Sequence, residues 1–242
     1  MSRIVAWFSC GVTSAVACQL AVKKYPNCEV IYCQTNSEHQ DNKRFLNQFE
    51  KWLNVKVTCI SSKKYTDIWE VFNKTRYLVG VGGARCTGEL KKTPRLEYQQ
   101  PDDLQVFGFD RDEVHRANRF NEHNLGIDTW FPLIEENVSK IDCISIVRNA
   151  GIEIPAMYKM GYRNNNCIGC VKGQAGYWNK IRKDFPDVFD RMAKVERELN
   201  VAICKSYAGD KKRKRVFLDE LDKDAGRHED LDISCGLFCG EY

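Results

Sequence analysis

The sequence predicts an α/β protein. The expected architecture is a Rossmann-like, mostly parallel five-stranded sheet with helices on both faces, plus a C-terminal helical and Cys-rich extension. Three observations carry that prediction. Short apolar runs recur through the first half of the chain, stretches of helical periodicity separate them, and the first run leads straight into a loop of Ser, Cys, Gly and Thr. Strands that alternate with helices are joined by crossovers, which give parallel sheets covered on both faces.

Residues 3–8 are short, apolar and followed by Ser9 and Gly11, the pattern of a buried strand. Helical spacing follows from Ser14 to about Lys23, and residues 29–33 form a second strand. Phe45, Phe49, Trp52 and Leu53 recur at i, i+4, i+7 and i+8, so residues 41–53 are an amphipathic helix. Residues 55–60 and 104–109 supply the third and fourth strands, and the apolar run 130–134 the fifth. A second section opens at Ser139, which has Asp142 three residues on, the spacing of a helix N-terminal box. Gly151 stops that helix, with Pro155 beyond it. Residues 156–176, rich in Gly, Asn and Cys, read as a loop. Residues 177–200 read as helix, with Pro186 at a break or in a first turn because proline cannot donate inside a helix. The tail, 201–242, is charged and irregular and ends in a cysteine pair. Two units result: an α/β domain over residues 1–138, and a helical, Cys-rich section over 139–242 packed on it.

The chain has 242 residues, 43% of them hydrophobic, enough for one sizeable core. No apolar run reaches 18 residues, which excludes a membrane-spanning helix. The N-terminus runs directly into a strand without the apolar stretch of a secretory signal, which predicts a cytoplasmic location. Twelve cysteines in such a chain point to thiols, metal ligation or redox chemistry rather than a disulfide framework. A net charge of +4 suits an anionic substrate without requiring nucleic acid. The basic run 211–215 reads as a solvated loop, with nucleic-acid contact as the alternative.

Ser9, Cys10, Gly11, Val12, Thr13 and Ser14 lie between the first strand and the first helix. Hydroxyls and unpaired N–H groups at a helix N-terminus attract a phosphate, and Gly11 lets the backbone approach it. An ordinary strand-to-helix turn with a Ser cap has the same composition. The Gly-Lys-Ser/Thr element of a Walker A loop is missing.

The segment Ser9-Cys10-Gly11-Val12-Thr13-Ser14-Ala15-Val16 resembles the PP-loop of the adenine-nucleotide hydrolase-like superfamily, and in particular the phosphoadenosine-phosphosulfate (PAPS) reductase family. The ATP-pyrophosphatase branch has Ser-Gly-Gly-x-Asp-Ser, so Cys10 stands for a Gly and Thr13 for an Asp, which counts against magnesium-assisted ATP cleavage. Further stretches resemble the family in order: Gln34-Thr35-Asn36-Ser37-Glu38; Cys86-Thr87 with Lys91, Lys92 and Pro94; Gly108 through Arg116; Phe131-Pro132-Leu133-Ile134; and Ile154 through Tyr162. The resemblance implies a nucleotide site made of residues 9–14 with Thr35, Glu38, Lys91, Lys92, Gly108, Arg111 and Arg116. The ligand is an adenine nucleotide: PAPS, adenosine phosphosulfate (APS) or ATP.

Cys167 and Cys170 form a C-x-x-C, which can bind a metal or a cluster, or close as a redox disulfide. The resemblance adds Cys86, and Cys235 or Cys239 as a fourth ligand, for a 4Fe-4S cluster, with zinc as the alternative. The tail Ser234-Cys235-Gly236-Leu237-Phe238-Cys239 resembles the Cys-Gly-Leu/Ile-His motif of the reductases, with Phe238 replacing the His. It implies that Cys235 attacks the sulfonate sulfur and Cys239 resolves the product; metal ligation by both is the other reading. Two enzymatic functions follow as expectations, beside a non-enzymatic nucleotide sensor or accessory protein that kept the fold. One is sulfonucleotide reduction with a thioredoxin-like electron donor. The other is ATP-dependent adenylation of a nucleic-acid base or small molecule by a PP-loop pyrophosphatase or sulfurtransferase. A homodimer is compatible with either.

Overall fold

The computed structural model describes residues 2–207 and 213–227. Its central strand is β1 (Ile4–Phe8), with all five residues buried. A strand covered on both faces has no solvent side, which explains the absence of polar alternation in it. α1 (Val12–Lys24) leads to β2 (Glu29–Gln34), and α2 (Asn42–Leu53) to β3 (Val57–Ser61). The chain then runs through α3 (Ile68–Thr75) and a short ribbon, β4 (Val79–Gly80) and β5 (Gly83–Ala84). Next come α4 (Arg85–Thr87), a π turn at Gly88–Lys92 and α5 (Thr93–Tyr98). It returns at β6 (Leu104–Val106) and, after α6 (Val114–His123), at β7 (Asp128–Trp130). The five-stranded sheet has the order β3-β2-β1-β6-β7, and every pairing in it is parallel. Successive strands move outward from β1 on one side and then from β6 on the other. The crevice at the carboxyl ends of β1 and β6 is therefore the topological switch point, where open α/β sheets bind ligands.

Period two sorts the strand residues between two cores. Ile4, Ala6 and Phe8 pack with α1, α2 and α8 (Lys140–Asn149), and Phe8 stacks on Phe49 at 4.2 Å between ring centroids. Val5 and Trp7 pack on the other face with Phe107, Phe109 and Phe120. A third core joins α3 to α10 (Ala175–Asp184) and α11 (Pro186–Leu199) and takes in Cys167 and Cys170.

The expected fold class holds, and the differences are local. The fifth strand is Asp128–Trp130, not 130–134, because Pro132 sits in the first turn of α7 (Pro132–Glu135), where a fixed φ and a missing N–H cost nothing. α3 was not foreseen; Asp67 caps it by accepting from the Glu70 N–H at 2.8 Å. The stretch read as a loop after Pro155 contains α9 (Ala156–Lys159). Within the tail, β8 (Cys204–Tyr207) and β9 (Arg213–Val216) pair antiparallel instead of being irregular. Ser139 and Asp142 form the expected capping box, and Pro186 opens α11. Among the described residues no helix is long and apolar enough to cross a membrane.

Candidate nucleotide site

β1 ends at Phe8 and α1 begins at Val12, with Gly11 at its N-cap and no side chain capping it. The first N–H groups of α1 therefore face the switch-point crevice without a side-chain acceptor of their own element. The two serines shape the turn. The Ser14 hydroxyl accepts from the Ser9 N–H at 3.0 Å, lies 3.0 Å from the Ser9 hydroxyl, and donates to the Gly11 carbonyl at 2.9 Å. Cys10 adopts a left-handed backbone (φ 57°), and its side chain is fully buried. Burial, and then the Glu38 carboxylate, push its thiol well above the usual range. It stays protonated and belongs to the core rather than to the chemistry.

Gly108 crosses the loop at the end of β6. A Cβ there would lie 2.6 Å from Ser14 Cα and 2.7 Å from Ser14 N, so only glycine lets the two backbones meet. Tyr158 closes the other side. Its hydroxyl is 3.3 Å from where a Cβ on Gly11 would stand. Burial raises the Tyr158 hydroxyl above its ordinary range, which keeps it neutral beside the loop.

A second cluster lies at the carboxyl end of β2. Thr35 Oγ1 is 3.3 Å from Cys167 Sγ. Glu38 is bridged by its backbone to Cys167. Its carboxylate accepts from the Tyr32 hydroxyl and from Asn42 Nδ2 at 3.3 Å, and pairs with Lys91 at 3.4 Å. Both partners of that ion pair are under a tenth exposed, so replacing one would leave the other's charge buried and uncompensated. Burial and Glu38 push Tyr32 far above its usual range. Around the C-x-x-C, the Tyr177 hydroxyl accepts from the N–H groups of Gly169 and Cys170, each at 3.0 Å. Gly169 is left-handed, with Val188 packed 2.8 Å from its Cβ position.

The other expected residues are placed as follows. Lys92 is half-buried in the π turn. Arg111 is exposed beside Asp112, its N–H held by the Val138 carbonyl at 3.0 Å. Arg116 pairs with Glu113 and lies over the Phe109 ring at 4.6 Å. Cys86, half-buried, packs against the core that contains Cys167 and Cys170. Among the described residues no three His, Cys, Asp or Glu side chains come together as metal ligands. Cys235 and Cys239 lie outside the described residues. Sequence reasoning missed Tyr158 and Asn165 as parts of the site. Their signals were present, in the turn after Pro155 and in the run Asn164-Asn165-Asn166 just before Cys167.

An anion loop at the switch point of a parallel sheet, with a glycine crossing over it, defines a nucleotide-binding α/β protein. The chain belongs to the phosphoadenosine phosphosulfate reductase domain family, which matches it over residues 3–176. That match takes in the loop, the Glu38–Lys91 pair and the C-x-x-C. Members are generally enzymes that act on small adenine nucleotides such as PAPS. No curated protein matches the chain.

Proposed function

We propose that the protein is a sulfonucleotide reductase-type enzyme, binding PAPS or adenosine phosphosulfate with its phosphates at Ser9–Ser14 and reducing the sulfonate with its own thiols. The observation that carries this reading is the make-up of the loop. It ends in a helix N-terminus that no side chain caps, while Thr13 replaces the carboxylate an ATP-cleaving loop has. A buried carboxyl just past β6, Asp110, is engaged as the cap of the turn at Arg111–Glu113, and burial with Glu113 raises it from its ordinary range. It is poorly suited to holding magnesium.

In this reading the Cys235 thiolate attacks the sulfonate sulfur. The S–O bond to the nucleotide phosphate breaks, the nucleotide leaves with that electron pair, and the enzyme keeps a Cys–S–SO₃⁻. The Cys239 thiolate then attacks Cys235 Sγ, expels sulfite and forms a disulfide, which a thioredoxin-like dithiol reduces. Lys91, held against Glu38, is a fixed cation near the sulfonate. Cys86, Cys167 and Cys170 are the proposed thiolates for a 4Fe-4S cluster. The described residues do not assemble such a set, and no step above depends on it.

The test is product analysis with PAPS, APS and ATP offered separately, in the presence of dithiol reductant. Sulfite release from a sulfonucleotide, abolished by Cys235→Ser, is expected. Pyrophosphate from ATP without sulfite overturns the reading in favour of adenylating chemistry, and full sulfite release by Cys235→Ser overturns the assignment of Cys235 as nucleophile.

A further inference from the structure

Between the nucleotide loop and the thiol loop the polar groups form one closed ring. Asn165 Nδ2 donates to the Cys10 carbonyl at 2.7 Å and to Asn42 Oδ1 at 2.8 Å. Asn42 Nδ2 donates in turn to the Glu38 carboxylate. The Glu38 backbone bridges to Cys167, two residues beyond Asn165, which completes the circuit. The orientation of both amides follows from their acceptors. A backbone carbonyl and a carboxylate only accept, so each amide must turn its nitrogen toward them. The Asn165 oxygen is buried and has no hydrogen-bond partner among the described residues. A buried amide oxygen without a partner has a stability cost, which the two bonds made by its nitrogen offset.

The group those donors hold is the strained one. Cys10 is an L residue at φ 57° whose side chain is locked in the core. The left-handed region is unfavourable for such a residue unless its surroundings impose it. The turn at Cys10 sets the direction of the amides that follow it into α1.

We propose that Asn165 is a positioning residue for the nucleotide. By holding the Cys10 carbonyl it keeps the loop in its left-handed turn, and it does so from the segment that leads into Cys167. One side chain thus sets the anion loop and the thiol loop relative to each other. The inference rests on the reading that a nucleotide binds at Ser9–Ser14.

The experiment measures PAPS affinity by calorimetry, and melting temperature, for the full chain and its variants. Asn165→Ala is expected to weaken PAPS about five- to tenfold, the loss of one neutral hydrogen bond expressed as affinity. Asn165→Asp, which keeps the shape but turns an acceptor toward the carbonyl, is expected to lose at least as much. Adding Cys10→Gly to Asn165→Ala restores most of the affinity, since glycine takes positive φ without strain. Adding Cys10→Ala does not, although it removes the same thiol. In melting, the advantage of Gly over Ala at position 10 is larger when Asn165 is present and enforces the left-handed turn than when it is absent and an Ala can relax. Wild-type affinity in Asn165→Ala and Asn165→Asp, or equal behaviour of Gly and Ala at position 10 in both backgrounds, overturns the proposal. If the wild type binds no adenine nucleotide, the functional reading fails, and the melting comparison alone still decides whether Asn165 holds Cys10.

Discussion

Two glycines flank the nucleotide loop, and the atoms they face rank them. A Cβ on Gly108 would sit 2.6 Å from Ser14 Cα, 2.7 Å from Ser14 N and 3.0 Å from the Thr13 carbonyl carbon. All three are backbone atoms in the first turn of α1, so relief requires moving the helix away from β6. A Cβ on Gly11 would meet the Tyr158 oxygen at 3.3 Å, the far end of a side chain that can yield by a few tenths of an ångström. Gly108→Ala is therefore expected to cost about 1–3 kcal/mol of stability through overpacking. It should weaken nucleotide binding more than Gly11→Ala does. Calorimetric titration with PAPS and thermal melting of both variants check the order; a Gly108→Ala protein that binds as tightly as wild type would remove the crossing from the site. The presence of Gly108 was legible in the sequence as one piece of an ordered pattern. The reason for it was not, because the clash partner is ninety-four positions away along the chain (108 − 14).

At the scale of elements, local signals were readable and tertiary ones were not. α2 showed in its apolar spacing, α11 in its first-turn proline, and α8 in Ser139 and Asp142, because each signal lies within the element that it specifies. The fifth strand was misplaced because a continuous apolar run cannot by itself separate a strand end from a following helix. The pairings in the ring through Cys10, Asn42, Glu38 and Asn165 were not legible, since its longest link spans 155 positions. The box at α8 offers a clean measurement. The Asp142 N–H donates to Ser139 Oγ at 3.1 Å, and the Ser139 N–H donates to the Asp142 carboxylate at 2.9 Å. α8 buries Cys143 and Val147 in the core that also contains α1. Ser139→Ala is expected to cost about 1 kcal/mol, the usual worth of an N-cap. For a chain of this size that is a drop of about 2–4 °C in melting temperature. Calorimetric melting reads it, and an unchanged transition would mean that packing on α1 alone sets the helix start.

For the whole molecule, the question is what fastens the chain beyond α11 to the rest. Arg182 and Asn179 of α10 hold carbonyls of that segment, and Glu196 holds it from inside. It is fully buried on α11 and accepts from the Ile203 N–H and the Leu218 N–H, each at 2.6 Å, so one carboxylate holds the entry to β8 and the turn after β9. Arg197 adds exposed pairs to Asp219 and Glu220, which contribute little by themselves. No cation lies in ion-pairing distance of Glu196 among the described pairs, and burial outweighs the two backbone donors, raising its pKa from 4.5 to about 7. The folded protein then holds this proton more tightly than the unfolded chain does. The stabilisation is complete below the unfolded value and is lost as pH climbs through the folded one, on the order of 3 kcal/mol between about pH 4.5 and about 7. Glu196→Gln keeps the size but cannot titrate, and its amide turns an N–H toward one of the two backbone donors. That variant should be less stable than wild type at pH 5, and the gap should shrink steadily by pH 8. Urea unfolding of both proteins across that range gives the difference directly. A gap that stays flat or widens with pH would mean that the two backbone N–H groups, not burial, govern Glu196, and that its carboxylate fastens the C-terminal segment in the ionised form at every pH tested.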